Sequence, residues 1–205
     1  MGSARHPASD ENSINKQLND YRQMEASTSV ATTWVIDPTH SEVQFKVKHL
    51  MVSTVTGLFG RYEGKLDMDG DDFDDAKITF SAEIDSISTG NTQRDEHLKS
   101  AEFFDAAQFP VLTFESTGMT RTGADTYILN GRLTLHGVTK PVSLKAEYGG
   151  QMQDFYGNTK AGFEVTGTIK RKEFGLSWDG VTEAGGVVVS DEVKLVMNIQ
   201  VAKQN

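Results

Sequence analysis

Apolar residues at every second position dominate most of this sequence. In the segment 42–49, EVQFKVKH, the apolar residues Val43, Phe45 and Val47 alternate with polar or charged neighbours. Because successive side chains of a β-strand point to opposite faces, this pattern predicts a strand with one buried and one solvated face. The alternation recurs in eight or nine segments, most clearly over 193–201. The chain is therefore predicted to be all-β.

A sheet of this many antiparallel strands must curl or split, and closure into a barrel removes its exposed edges. The chain has 205 residues, with 19 glycines and only 4 prolines, which favours one sizeable all-β domain. Several glycines fall inside predicted strands, where they weaken pairing unless the strand bends or something approaches closely. Barrel curvature is our interpretation of most of them, which are Gly57, Gly60, Gly64, Gly131, Gly162 and Gly167.

Charge and cysteine content exclude several classes of function. The formal net charge is −9 and the basic residues are scattered, which argues against a nucleic-acid partner. The absence of cysteine excludes disulfides, thiol catalysis and cysteine metal sites, and it fits a reducing compartment. No window approaches 18 consecutive apolar residues, so we expect no transmembrane segment.

The first 32 residues are polar and differ from the rest of the chain. We predict a domain boundary here, with an arm over 1–32 that is a tag, disordered or a short helix, followed by the barrel domain over 33–205. No secretory signal is recognisable in the arm. The expected location is cytoplasmic as the sequence stands, or periplasmic if a signal has been removed.

The predicted barrel interior indicates a function. A barrel of eight strands is just wide enough to be filled by side chains or to hold one small ligand. Its lining here would be almost wholly apolar and would suit a long hydrocarbon, although the same residues could also form a solid core. The residues predicted to face inward are Val43, Phe45, Val47, Phe59, Phe80, Phe114, Leu133, Leu144, Phe163, Val165, Leu195 and Met197.

Metal sites are poorly supported by the sequence. The acidic stretch 67–75, DMDGDDFDD, does not fit a helix-loop-helix calcium site, since Asp72 and Ile78 stand where Gly and Glu are required. We interpret it as a solvated hairpin loop. The histidines are dispersed without the spacing of metal ligands, and we expect structural or head-group roles for them. They are His6, His40, His49, His97 and His136.

The stretch 91–105, NTQRDEHLKSAEFFD, contains an acid, a histidine and a hydroxyl within six positions. Asp95, His97 and Ser100 are too close in sequence to form a triad, whose members normally come from separate elements. We predict instead a short helix, capped near Thr92 and burying its apolar residues, that closes one end of the barrel. No catalytic residue is therefore assigned.

Several segments together resemble the YceI-like family of lipocalin-like, polyisoprenoid-binding proteins. They run in the same order over about 170 residues, and the third and fourth are the most distinctive. The segments are DPTHSEVQFKVKHL (37–50), TGLFGRYEGKLDMD (56–69), IDSISTGNTQRDEHLKSAEFFDAAQFPVLTFES (84–116), LNGRLTLHGVTKPVSL (129–144) and AGFEVTGTIKRKEFGLSW (161–178).

The resemblance implies an extended eight-stranded antiparallel barrel with a short helical insertion around an apolar tunnel. It also implies an isoprenoid or fatty-chain ligand whose polar head lies near the open end, no other cofactor, and pairing into a homodimer. Many members are periplasmic. The side chains that we select as head-group candidates are Lys48, His49, Arg94, His97, Lys140 and Arg171.

Three hypotheses follow for the function. The leading one is a non-enzymatic carrier or store for a long-chain isoprenoid or related lipid. The second is an enzyme that acts on a lipid head group, with Asp95 and His97 as a general-base pair. The third is a metal or haem chaperone.

Overall fold

The computed structural model describes residues 31–70, 72–74, 76–180 and 188–204. Within them, eleven strand segments and one α-helix build an antiparallel barrel. The strands are β1 (Ala31–Ile36), β2 (Glu42–His49), β3 (Ser53–Phe59), β4 (Tyr62–Asp69), β5 (Lys77–Glu83), β6 (Ile87–Ser88), β7 (Val111–Arg121), β8 (Thr126–Leu135), β9 (Val138–Gln153), β10 (Thr159–Lys170) and β11 (Val189–Lys203). The helix is α1 (Thr92–Lys99), and the 3₁₀ turns are η1 (Pro38–His40), η2 (Ile84–Ser86) and η3 (Arg171–Phe174).

The eleven segments form eight barrel strands because three strands are interrupted. The pairs β1 and β2, β3 and β4, and β5 and β6 each act as one strand broken by a turn or kink. β1 lies beside β4 while β2 lies beside β3, so each half of a broken strand keeps a neighbour. The predicted fold class, an eight-stranded antiparallel barrel with a short helical insertion, is confirmed.

Strand β11 closes the barrel. Along one edge it pairs with β10, from Glu192↔Lys170 to Ala202↔Lys160. Along the other edge its first part pairs with β2 and its last residues pair with β1. All three pairings are antiparallel, and because partners lie along both sides of β11, the sheet has no open edge there.

Asp37 fixes the break between β1 and β2. Its carboxylate accepts hydrogen bonds from the backbone N–H of Thr39, from Lys160 Nζ at 2.9 Å and from Gln200 Nε2 at 3.3 Å. It also pairs with His40 Nδ1 at 3.0 Å. These donors belong to the turn η1 and to strands β10 and β11. The hydrogen bond from Lys160 is the main reason that the pKa of Asp37 lies far below its usual range.

Two strand glycines accommodate aromatic rings. Gly57 is paired with Phe45 across β2 and β3, and a Cβ at Gly57 would lie 2.2 Å from the Phe45 ring. A Cβ at Gly131 would lie 2.3 Å from the ring of Phe114. Close approach of a neighbouring ring therefore explains these two glycines, where the sequence interpretation was curvature.

Phe73, between β4 and β5, closes one end of the barrel, so the interpretation of the stretch 67–75 as a solvated hairpin loop was wrong for this residue. Phe73 is only 4% exposed. Its ring centroid lies 5.8 Å from that of Trp34, 5.5 Å from Tyr148 and 4.9 Å from Phe163, the last in an edge-to-face arrangement. We call these four residues the aromatic plug. Acidic neighbours of Phe73 remain at the surface, where they pair with Arg121.

The predicted arm lies outside the described residues except for residues 31 and 32. Residue 31 already begins β1. The domain boundary near residue 32 therefore stays a prediction. Among the residues that the structure describes, no helix has the length and apolar character needed to cross a bilayer.

We expect Asp37→Asn to lower the free energy of unfolding at pH 7 by about 2 kcal/mol, because a carboxylate with charge-assisted hydrogen bonds is lost. A carboxyl whose folded pKa is depressed stabilises the fold above its unfolded pKa of about 3.9 and loses that contribution as pH falls further. The stability difference between parent and variant should therefore shrink below about pH 4. Urea titrations at a series of pH values measure it.

The exposed Asp85 offers a control, since Asp85→Asn should change stability little at any of these pH values. A difference between parent and Asp37→Asn that stayed constant down to strongly acid pH would contradict the depressed pKa.

Candidate functional site

The barrel is hollow. A cavity of about 340 Å³ runs inside it and opens to solvent, and its surface is almost entirely apolar. This volume falls in the range of small-molecule binding sites, which is roughly 300–1,000 Å³. The alternation in the sequence was compatible with a solid core or with a ligand cavity, and the structure has a cavity.

All twelve residues predicted to face inward line this cavity. Val165, Leu195 and Met197 are only half-buried although they face the interior. The space in front of them is wide enough for solvent, which a packed core would not allow. That these residues contact a ligand stays a prediction.

Other lining residues were missed by the sequence reasoning. Leu129, Val193 and Ile199 lie on the predicted strands, and the same alternation could have found them. Leu98 lies in α1, and Trp178 lies in the segment after η3. The period-two pattern of strands does not apply to either segment. Leu98 is an apolar residue of the predicted helix, whereas no sequence pattern indicates the inward direction of Trp178.

The two ends of the cavity differ. Val201 and the plug residue Phe163 line it toward the C-terminal end of β11, where β1 pairs. Lys48, His49 and Arg94 line it toward the N-terminal end of β11, which pairs with β2. Lys48 and Arg94 are exposed to solvent. We call this second end the mouth.

Five of the six predicted head-group residues line the cavity, namely Lys48, His49, Arg94, His97 and Arg171. Lys140 is the exception. It is paired with Leu133 across the β8–β9 hairpin and is half-buried, but it does not line the cavity. Lys140 is therefore not part of the site in this structure.

Arg171 has a structural role. It is 2% exposed, and all five of its N–H donors are used within the protein. Nε, Nη1 and Nη2 donate to four backbone carbonyls between Leu176 and Ser190, and Nη2 also donates to Asp179 Oδ1 at 2.6 Å. Lys172 and Arg171 together lower the pKa of Asp179. No donor of Arg171 is left for a head group, so we omit it from the functional proposal.

Arg94 is held at the mouth by the turn before α1. Its Nε donates to Thr89 Oγ1 at 2.7 Å and its Nη2 donates to Thr89 O at 2.9 Å. Asp95 Oδ1 accepts from both the backbone N–H and the hydroxyl of Thr89. The predicted N-cap at Thr92 was one residue late, because Asn91 caps the helix by accepting from Arg94 N.

His97 lies in a small aromatic cluster. Its ring stands edge-to-face to Trp178 at 5.0 Å and to Phe103 at 5.5 Å. Its Nε2 bonds to Glu102 Oε2 at 2.9 Å, while Ser100 Oγ donates to the backbone carbonyl of His97. His97, Ser100 and the Thr89-bound Asp95 thus have separate partners, and they do not form a triad.

Metal ligands do not gather in the described part of the chain. No group of three or more His, Cys, Asp or Glu side chains there is placed to hold a metal ion. His40 is paired with Asp37, and His136 stands against the ring of Phe109 with centroids 4.7 Å apart.

Comparison with known protein families gives one match over most of the chain. The YceI-like domain family matches residues 34–201. The protein YceI of Salmonella newport is 37% identical over 179 residues, covering 86% of this chain and 90% of the relative. A UPF0312 protein of Azotobacter vinelandii is 35% identical over 181 residues, covering 87% and 91%.

Solved structures show the same fold. A YCEI protein variant from Campylobacter jejuni superposes with a TM-score of 0.68 at 31% identity, over 78% of this chain and 91% of that one. BcnA of Burkholderia cenocepacia gives 0.70 at 20% identity, over 80% and 98%. A polyisoprenoid binding domain from Saccharophagus degradans gives 0.63 at 17% identity, over 83% and 98%.

We expect Arg171→Gln to lower the free energy of unfolding by about 3 kcal/mol, because buried carbonyls and Asp179 lose their donors. Arg132→Gln is a matched control, since Arg132 is exposed and makes one surface ion pair with Glu115. Urea unfolding of both variants measures the difference. Equal small losses would contradict the structural role of Arg171.

Proposed function

The chain belongs to the YceI-like family, and from this premise we propose that it binds a long-chain isoprenoid or related amphiphilic lipid in the barrel cavity and carries or stores it without catalysis. The single observation that carries this proposal is the open cavity of about 340 Å³ with an almost wholly apolar wall. The fold that the chain shares with a polyisoprenoid binding domain from Saccharophagus degradans lends further support to the ligand class.

The energetics of such a ligand are favourable. Each methylene group moved from water to an apolar wall gains about 0.8 kcal/mol, so ten buried carbons gain roughly 8 kcal/mol. Association and ordering cost several kcal/mol of this gain. Micromolar binding requires a net gain of about 8 kcal/mol. A chain with about fifteen buried carbons, which gains roughly 12 kcal/mol, reaches this value after a cost of about 4 kcal/mol and without a covalent bond.

The head group would lie among the polar residues of the mouth. Lys48 and Arg94 supply exposed positive charge at the cavity wall, and His49 and His97 supply ring nitrogens. A pyrophosphate, carboxylate or quinone-like head could accept hydrogen bonds from these groups.

The alternative of a lipid head-group enzyme lacks the contact on which it depends. Within the described residues Asp95 is bonded to Thr89 and His97 to Glu102, so no Asp95–His97 pair is present to act as a general base. No described cluster favours a metal chaperone either. The homodimer, the absence of a further cofactor and the compartment stay predictions.

Native mass spectrometry of the gently purified protein tests the proposal directly. We expect a co-purifying hydrophobic molecule, or uptake of farnesol or geranylgeraniol in titration, and recovery of the lipid chemically unchanged. A protein that is ligand-free as purified and takes up neither prenyl alcohol nor a fatty acid would overturn the proposal.

Neighbouring residues on β11 provide matched variants. Leu195 lines the cavity, while the next residue toward the N-terminus, Lys194, is exposed on the outer face. We expect Leu195→Trp to weaken prenyl alcohol binding by about 50-fold, because it fills the space of about three methylenes. Lys194→Trp should bind like the parent. Equal binding by both variants would place the ligand outside the barrel.

A further inference from the structure

The turn between β2 and β3 presents apolar side chains to solvent. Leu50, Met51 and Val52 are 42%, 72% and 87% exposed, respectively. Single exposed apolar residues are normal on protein surfaces, but three in succession at a hairpin end form a contiguous patch. We call these three residues the apolar tip.

The backbone of the apolar tip is strained. Leu50 and Met51 have φ angles of 52° and 56°, and Val52 N–H donates to His49 O at 3.1 Å. Three residues connect β2 to β3, since His49 pairs with Ser53. The two central residues of the β-turn 49–52 both have positive φ angles, which strongly favour Asn and Gly because a Cβ is crowded in the left-handed conformation. Two large apolar residues are poorly suited to this turn, so the requirements of folding do not explain them.

The hairpin that carries the apolar tip is positively charged in an acidic protein. The formal net charge of the chain is −9, yet no acidic residue occurs between Glu42 and Glu63. Lys46 and Lys48 lie in this interval on β2, while Arg61, after β3, is paired with Glu83 at 2.6 Å. The hairpin therefore combines an apolar end with two lysines on its first strand, as surface-binding membrane elements combine apolar and cationic residues.

The apolar tip adjoins the mouth of the cavity. Lys48 and His49, which directly precede it, and Val55, which follows it, all line the cavity. Within the described strands, β3 pairs on its outer side only through Leu58 and Phe59, with β6. The first part of β3 is thus an edge beside the mouth.

We infer that the apolar tip docks on a phospholipid bilayer that carries anionic head groups. Leu50, Met51 and Val52 enter the interfacial region, while Lys46 and Lys48 face the lipid phosphates. This arrangement brings the mouth of the cavity to the membrane in which a lipid ligand resides. The benefit of docking rests on the proposed function, but docking itself is measured independently of cavity binding.

The other exposed hairpin supplies a control. Phe155 and Tyr156, between β9 and β10, are 107% and 91% exposed and lie at the plugged end of the barrel. Their turn is fixed by Asp154, which accepts from Tyr156 N and Asn158 N, both at 2.9 Å. No cluster of cations like that of the β2–β3 hairpin adjoins these residues in the sequence 150–158.

The test uses flotation of the full chain with vesicles made of equal parts phosphatidylcholine and phosphatidylglycerol. The double variant Leu50→Asn, Met51→Gly removes apolar side chains and installs the favoured turn residues. We expect vesicle binding to fall more than tenfold while the melting temperature rises or stays unchanged. If Leu50 and Met51 had only a structural role, their replacement would lower the melting temperature together with vesicle binding.

Two further variants examine specificity. The double variant Lys46→Gln, Lys48→Gln should bind these vesicles about 25-fold more weakly, because each lost cation weakens binding about fivefold. Its binding to vesicles of phosphatidylcholine alone should differ little from that of the parent. Phe155→Ser should bind like the parent, although it also removes an exposed apolar side chain.

Absence of vesicle binding by the parent, or unchanged binding by the turn variant, would overturn the inference. The inference would also be overturned if the parent bound no vesicles but formed a concentration-dependent dimer that the turn variant does not form. The apolar tip would then contact a second copy of the protein. None of these results affects the proposed cavity function, which is tested by farnesol uptake from solution. We expect the turn variant to retain that uptake.

Discussion

Closure of the sheet along β11 is the constraint on which the rest of the structure depends. One strand of 15 residues forms backbone hydrogen bonds with β10 along one edge and with both β2 and β1 along the other. This is possible only because the first barrel strand is interrupted and its two halves follow β11 in separate registers. The carboxylate of Asp37 holds the interruption in place, and eight strands set an interior that can contain one ligand.

The distribution of large side chains decides that this interior is hollow at one end and filled at the other. Phe73, Trp34, Tyr148 and Phe163 pack as a plug beside the β1 pairing. Farther along the barrel the lining is mostly aliphatic, and aromatic rings such as Phe45 fold over a cross-strand glycine instead of projecting to the centre. Gly57 is therefore part of what keeps the cavity open.

The strands and their inward faces could be predicted because a half-buried strand has a period of two, which is visible in one sequence. Residues outside strands could not be placed in this way. Phe73 looked solvated among acidic neighbours, yet it fills the barrel end, because its ring is buried while the adjacent carboxylates stay at the surface. Trp178 lines the cavity from a segment without periodicity, and the polar contacts of Arg171 depend on chain positions up to 19 residues away.

The polar side chains near the mouth are largely committed to protein partners. Arg171 uses all its donors, His97 is bonded to Glu102, and Arg94 already donates twice to Thr89. Any head group must share such donors or rely on Lys48 and His49, whereas an apolar chain contacts an apolar wall and competes with no protein group for hydrogen bonds. For an amphiphile held here, most of the binding free energy would come from the chain. Selectivity for chain length should accordingly exceed selectivity for the head group, and the barrel would suit lipids that share a tail and differ in their polar ends.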